Sequence, residues 1–139
     1  MSDQYAIEPE LEALVEYARL AALNAYAPYS GFRVGAALKL ANGEIVTGTN
    51  VENASYGLTI CAERAALVHA VAQFGPKIRV AAAAVANLNG LPSPPCGACR
   101  QMLAEFALLE APVIFPGVDG VRTMMFGELL PAGCELRLK

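Results

Sequence analysis

Ile78-Arg79-Val80-Ala81-Ala82-Ala83-Ala84-Val85-Ala86 is the stretch on which the fold turns. It is a nearly continuous apolar run, the pattern of a strand covered on both faces rather than one wetted on alternate residues. Gly75-Pro76 precedes it and ends a helix expected over Cys61–Phe74. Beyond it a second helix follows Pro95, with Cys99, Met102, Leu103, Phe106 and Ala107 on one side. Strands are then expected over Val113–Phe115 and about Val121–Met125. Their link, Pro116–Gly120, is too short for a parallel crossover, which needs about a dozen residues, so these two strands should pair antiparallel. Upstream, Phe32–Ala41 and Glu44–Asn50 are β-compatible runs joined at Asn42-Gly43, a hairpin signal that predicts a type I′ turn with both central residues at positive φ. A first helix carries Leu14, Val15, Ala18, Ala21, Ala22 and Ala25 at helical spacing and ends before Pro28, with acidic residues at its start where the dipole favours them. Helices alternating with strands around a doubly covered central strand imply a three-layer α/β/α arrangement with a mixed five-stranded sheet. The whole of 1–139 reads as one domain.

Of the 139 residues, 55% are hydrophobic and 17% charged, with a formal net charge of −3 and no Lys/Arg run. That balance excludes disorder and gives no electrostatic footprint for nucleic acid. The charge-free stretch Val80–Cys99 is broken by Asn87, Asn89, Gly90, Pro92, Pro94 and Pro95, so no membrane span is expected. Asp3, Glu8, Glu10 and Glu12 are of the wrong sign for a secretory leader, and a cytoplasmic location is expected. So much apolar residue on a small body further suggests that other copies of the chain cover part of it.

In a reducing compartment the four cysteines point to metal or catalysis rather than to disulfides. Cys61-Ala62-Glu63-Arg64 and Pro95-Cys96-Gly97-Ala98-Cys99-Arg100-Gln101 each fall at a predicted helix start. Outward-pointing amides and the macrodipole stabilise thiolates there. Two such starts facing each other would present Cys61, Cys96 and Cys99 to one ion, and soft thiolates favour zinc. Three protein ligands leave the fourth tetrahedral position open, as in a catalytic rather than a structural site. Glu63 lies on a different azimuth of the same turn as Cys61, beside the metal without binding it, where a proton shuttle must stand. Three thiolates put excess negative charge on the ion; Arg64, Arg100 and the two helix dipoles are placed to offset it.

At these residues the chain resembles the small cytidine deaminases of the homotetrameric, three-cysteine type. The matching stretches are Ala27-Pro28-Tyr29-Ser30-Gly31-Phe32-Arg33-Val34-Gly35-Ala36-Ala37-Leu38, Asn50-Val51-Glu52-Asn53-Ala54-Ser55-Tyr56, the two cysteine motifs, and Glu128-Leu129-Leu130-Pro131. A cysteine, a glutamate two residues on, and Pro-Cys-x-x-Cys is the signature of zinc deaminases. The resemblance implies the five-stranded mixed sheet of that family and hydrolytic deamination of cytidine and 2′-deoxycytidine. It also implies one Zn²⁺ per chain on Cys61, Cys96 and Cys99, and Glu63 as general acid/base. Asn50 and Glu52 are implied to bind the ribose 3′-hydroxyl, Ala54 to meet the pyrimidine through its backbone, and Phe32 to pack against the base. Tyr56 is implied to reach a neighbouring subunit's site, so that sites are shared within a homotetramer. The family's terminal Leu-Leu-Pro-x-Ala-Phe is not kept: Cys134 stands where the aromatic that helps cover the nucleoside falls.

Other readings predict different outcomes. A dithiol redox motif at Cys96-Gly97-Ala98-Cys99 leaves Cys61 and Glu63 without a role and predicts no stoichiometric metal. A closed structural zinc would recruit Cys134 as fourth ligand; the open-site reading makes Cys134 an apolar filler. A deaminase of cytosine-nucleoside antibiotics is the enzymatic alternative, less well matched by the Phe32 region and the Asn50–Tyr56 loop. His69 has no partner at ligand spacing and reads as surface or interface, and Met124 and Met125 read as packing.

Overall fold

The computed structural model describes residues 8–135; Asp3, which entered the argument about the N-terminus, lies outside them. The order is helix α1 (Pro9–Ala22), strands β1 (Val34–Leu40) and β2 (Ile45–Thr49), and a 3₁₀ turn at Tyr56–Leu58. Helix α2 (Ala62–Phe74), strand β3 (Val80–Asn87), helix α3 (Gly97–Ala104), strands β4 (Pro112–Gly117) and β5 (Gly120–Met125) and a short helix α4 (Phe126–Leu129) follow. The strands form one mixed sheet in the order β2-β1-β3-β4-β5. β1 runs antiparallel to β2 and β3, β3 and β4 are parallel, and β4 and β5 pair antiparallel as the short link requires.

The central apolar run is continuous because alternate residues of β3 enter opposite cores. Ala82, Ala84 and Ala86 join Ala37 and Ile114 under Leu14 and Ala18 of α1. Ala83 and Val85 join Ala36, Leu38, Val46 and Phe115 under Ala62, Ala66 and Leu67 of α2 and Leu103 of α3. The layers are thus α1, sheet, and α2 with α3. Small residues set how close the helices come. A Cβ on Gly35 would lie 1.9 Å from the Ala18 carbonyl oxygen, and one on Gly48 would lie 2.3 Å from the Ala66 nitrogen and 2.8 Å from the Ala62 oxygen. The sheet therefore touches both helix backbones directly, and the β2–α2 contact fixes where the start of α2 sits.

Three local expectations are corrected. The β1–β2 turn is not type I′, because Gly43 has φ +90° while Asn42 stays at negative φ. The Gly43 N–H donates to the Leu40 carbonyl (2.9 Å), and the Leu40 N–H donates to the Glu44 carbonyl (2.8 Å). The Asn42 side chain accepts from the Glu44 N–H (2.9 Å), so the loop is the three-residue kind with one left-handed glycine. Helix α1 ends at Ala22, leaving Ala25 outside it, because the chain turns there to let Tyr26 pair with Asn50 and Glu52. Helix α3 ends at Ala104; Phe106 and Ala107 instead bridge to Val80 at the start of β3.

Candidate active site

Cys61 and Cys96 are the N-cap residues of α2 and α3, and Cys99 lies in the first turn of α3. The Cys61 and Cys96 sulfurs are 3.7 Å apart, those of Cys96 and Cys99 are 3.4 Å apart, and all three lie within 4.8 Å of one another. A tetrahedral ion bound at about 2.3 Å from each sulfur sets sulfurs about 3.8 Å apart, close to the Cys61–Cys96 and Cys96–Cys99 separations, so the trio can hold one zinc. Cys134 is exposed and stands outside the cluster, so it is not a fourth ligand; its carbonyl accepts from Gln101 Nε2 (3.0 Å).

The charges around the sulfurs are one-sided. Arg64 donates through Nη2 to the Thr59 carbonyl (3.1 Å) and reaches Cys61 Sγ at 3.7 Å, while its buried Nε has no hydrogen-bond partner among the described residues. The neighbouring Cys99 thiol foremost, with Arg64, brings the Cys61 thiol down to about 5. The same coupling, with burial, holds the Cys99 thiol up until a cation replaces its proton. Arg100 does not share in this. Its Nε donates to the Pro95 carbonyl (2.8 Å) and its Nη1 to the Leu129 carbonyl (2.9 Å), so it ties α3 to α4 rather than balancing sulfur charge.

Glu63, in the first turn of α2, is 6% exposed. Burial, reinforced by the Cys61 charge, pushes its carboxyl up to about 7. A carboxyl held near neutrality beside a metal cluster can both take and give a proton.

Glu63, Cys61 and Cys96 open on a cavity of about 320 Å³ that is also lined by Phe32, Asn50, Glu52 and Tyr56. Asn50 is buried; Oδ1 accepts from the Val34 N–H (3.0 Å) and Nδ2 donates to the Phe32 carbonyl (2.8 Å). That leaves one amide hydrogen and one lone pair for a ligand. Glu52 Oε1 accepts from the backbone N–H groups of Tyr29 (2.9 Å) and Ser30 (3.1 Å), and Oε2 accepts from the Ser30 hydroxyl. These bonds, the Ser30 hydroxyl first, hold its carboxyl below the usual range. Phe32 is half-buried against the core, and Tyr56, 90% exposed, stands at the mouth. Ala54 is exposed and does not line the cavity. Ser30, Thr59, Val85, Ser93 and Pro94 line it without having been singled out from sequence. Among them Ser30 had a signal, a serine two residues before Phe32, placed to bond the backbone locally. His69 is exposed, with Nδ1 hydrogen-bonded to the Thr47 carbonyl (3.1 Å).

Three sulfurs at zinc spacing, a buried carboxyl and an adjoining cavity define a single-ion catalytic zinc centre on an α/β/α scaffold. The family model for the cytidine and deoxycytidylate deaminase zinc-binding region matches residues 9–115. The cytidine deaminase of Halalkalibacterium halodurans is 46% identical over 121 residues, covering 86% of this chain and 90% of that protein. The crystal structure of cytidine deaminase from Burkholderia pseudomallei matches with a TM-score of 0.80 at 46% identity, covering 88% of this chain and 98% of that one. That of the Mycobacterium tuberculosis enzyme matches at 0.80 and 40% identity, covering 93% and 100%. The chain belongs to the cytidine and deoxycytidylate deaminase zinc-binding family, and it carries one zinc site, formed by Cys61, Cys96 and Cys99.

Proposed function

We propose that this chain hydrolyses cytidine and 2′-deoxycytidine to uridine and 2′-deoxyuridine with release of ammonia. The observation that carries the reading is the convergence of Cys61, Cys96, Cys99 and the buried Glu63 on a cavity also lined by Phe32, Asn50 and Glu52. When bound, zinc supplies Lewis acidity and a water acidified from about 15.7 toward about 7. Glu63 accepts a proton from the attacking water and delivers it to N3 of the pyrimidine, which makes C4 electrophilic. The water oxygen adds to C4, and Glu63 then moves the proton remaining on that oxygen to the amino group, so that the C4–N4 bond breaks to ammonia and a C4 carbonyl is left. Phe32 packs against the base. Asn50 and Glu52 donate to and accept from the ribose 3′-hydroxyl, so a ligand without that group leaves them unpaired. Arg64 balances the thiolate charge through Cys61.

Residues 1–139 act in this reading as one catalytic domain in the cytoplasm, assembled as a homotetramer with Tyr56 completing a neighbour's site. Tyr17, Leu20 and Leu23 on and just after α1, and Tyr56 on its 3₁₀ turn, are exposed large apolar side chains that support the assembly. Among the described residues no helix is long and apolar enough to cross a membrane. The test is to incubate pure protein with cytidine and follow the ultraviolet spectrum toward that of uridine, before and after chelation. Conversion that chelation abolishes and zinc restores is expected; a zinc-loaded protein that leaves cytidine unchanged overturns the reading.

A further inference from the structure

We propose that Ser30 is a positioning residue for substrate specificity, its hydroxyl orienting the Glu52 carboxylate so that it reads a sugar hydroxyl. This rests on the reading of Glu52 given above. Ser30 and Glu52 come from separate loops and line the same cavity as Phe32. An ionised carboxylate offers about four acceptor sites. Two on Oε1 are taken by the Tyr29 and Ser30 N–H groups, and one on Oε2 by the Ser30 hydroxyl. One acceptor site, on Oε2, is left for a ligand. A carboxylate with a single unfilled site accepts one more hydroxyl and is left short by a ligand that has none.

Ser30 Oγ also accepts from the Phe32 N–H (2.9 Å), so the same oxygen ties the sugar-reading carboxylate to the backbone of the base-packing residue. The far side of that loop is held independently by Asn89, which donates through Nδ2 to the Gly31 carbonyl (3.0 Å) and accepts through Oδ1 from the Arg33 N–H (3.0 Å). Removing the Ser30 hydroxyl therefore loosens Glu52 while Asn89 and Asn50 keep Phe32 in place. The loss should fall on recognition of the sugar and not on the chemistry at the base.

The experiment compares kcat and KM for cytidine and 3′-deoxycytidine in the zinc-loaded wild type, Ser30→Ala, Ser30→Thr and Glu52→Gln. Ser30→Ala should raise KM for cytidine about tenfold with kcat within about twofold, and change kcat/KM for 3′-deoxycytidine by less than about twofold, collapsing the preference. Ser30→Thr, which keeps the hydroxyl, should restore it. If Ser30→Ala does not fold, Ser30→Cys reads the same ratio, since a thiol keeps the volume with a much weaker donor. Equal losses on both substrates, or an unchanged ratio, would overturn the role of Ser30 where Glu52→Gln still collapses the preference. A Glu52→Gln enzyme with the wild-type preference would instead overturn the assignment of Glu52, and that of Ser30 with it.

Discussion

Replacing Gly48 with alanine should damage the metal centre through the backbone of α2, with no substitution at a residue that lines the cavity. The added Cβ would lie 2.3 Å from the Ala66 nitrogen and 2.8 Å from the Ala62 oxygen, both backbone atoms of α2. Opening the shorter contact to the 3.4 Å at which ordinary contact begins moves the helix about 1 Å off the sheet. Overpacking of this kind costs about 1–3 kcal/mol, or roughly 3 °C of Tm per kcal/mol in a chain of this size. The helix that moves carries Cys61 at its N-cap and Glu63 in its first turn. A misplacement of about 1 Å at reacting groups costs on the order of a hundredfold in rate. Gly35→Ala is the comparison, since its Cβ meets Ala18 and Ala22 of α1, which carries none of the cysteines or Glu63. Thermal melting, zinc content and cytidine turnover should show both variants destabilised, with the large loss of kcat confined to Gly48→Ala. A Gly48→Ala protein with wild-type Tm and kcat within about twofold would refute the reasoning.

Glu63→Gln should keep one zinc per chain and lose most turnover, measured by metal analysis and steady-state kinetics; near-normal kcat would remove Glu63 from the proton path. Cys134→Ser should retain zinc and fold, because Cys134 lies outside the sulfur cluster, whereas metal loss would place it among the ligands. Glu52 has a depressed folded pKa, so its loop contacts persist above the unfolded value near 4.3 and weaken only as pH falls through the lower folded one. Carboxyl carbon NMR should find the Glu52 midpoint below that value in the wild type and raised in Ser30→Ala, and a wild-type midpoint above it would contradict the hydrogen-bond account.

Elements written by local pattern were legible in the sequence. The nearly continuous apolar run of Ile78–Ala86 placed β3 between two helical layers, Pro116–Gly120 fixed the antiparallel pairing of β4 and β5, and the cysteine motifs marked both helix starts. Departures arose where a side chain took over a backbone bond. Asn42 satisfies the Glu44 N–H and so leaves Gly43 alone to take positive φ. Arg100 sits beside Cys99 in sequence, yet it is drawn to carbonyls of Pro95 and Leu129, the latter 29 positions away. The bonds from Glu52 to Tyr29 and Ser30 span 23 and 22 positions and leave no periodic trace. Ala54 carries no side-chain chemistry to mark it, and its expected place at the base came from resemblance alone; its exposure outside the cavity could be found only in the folded chain.

X-ray absorption at the zinc edge of reduced, freshly purified protein tests the central claim most directly. The account predicts one zinc per chain with three sulfur neighbours at about 2.3 Å and one lighter oxygen or nitrogen neighbour at about 2.0 Å. Four sulfurs around the ion, or protein that holds no stoichiometric zinc, would contradict it.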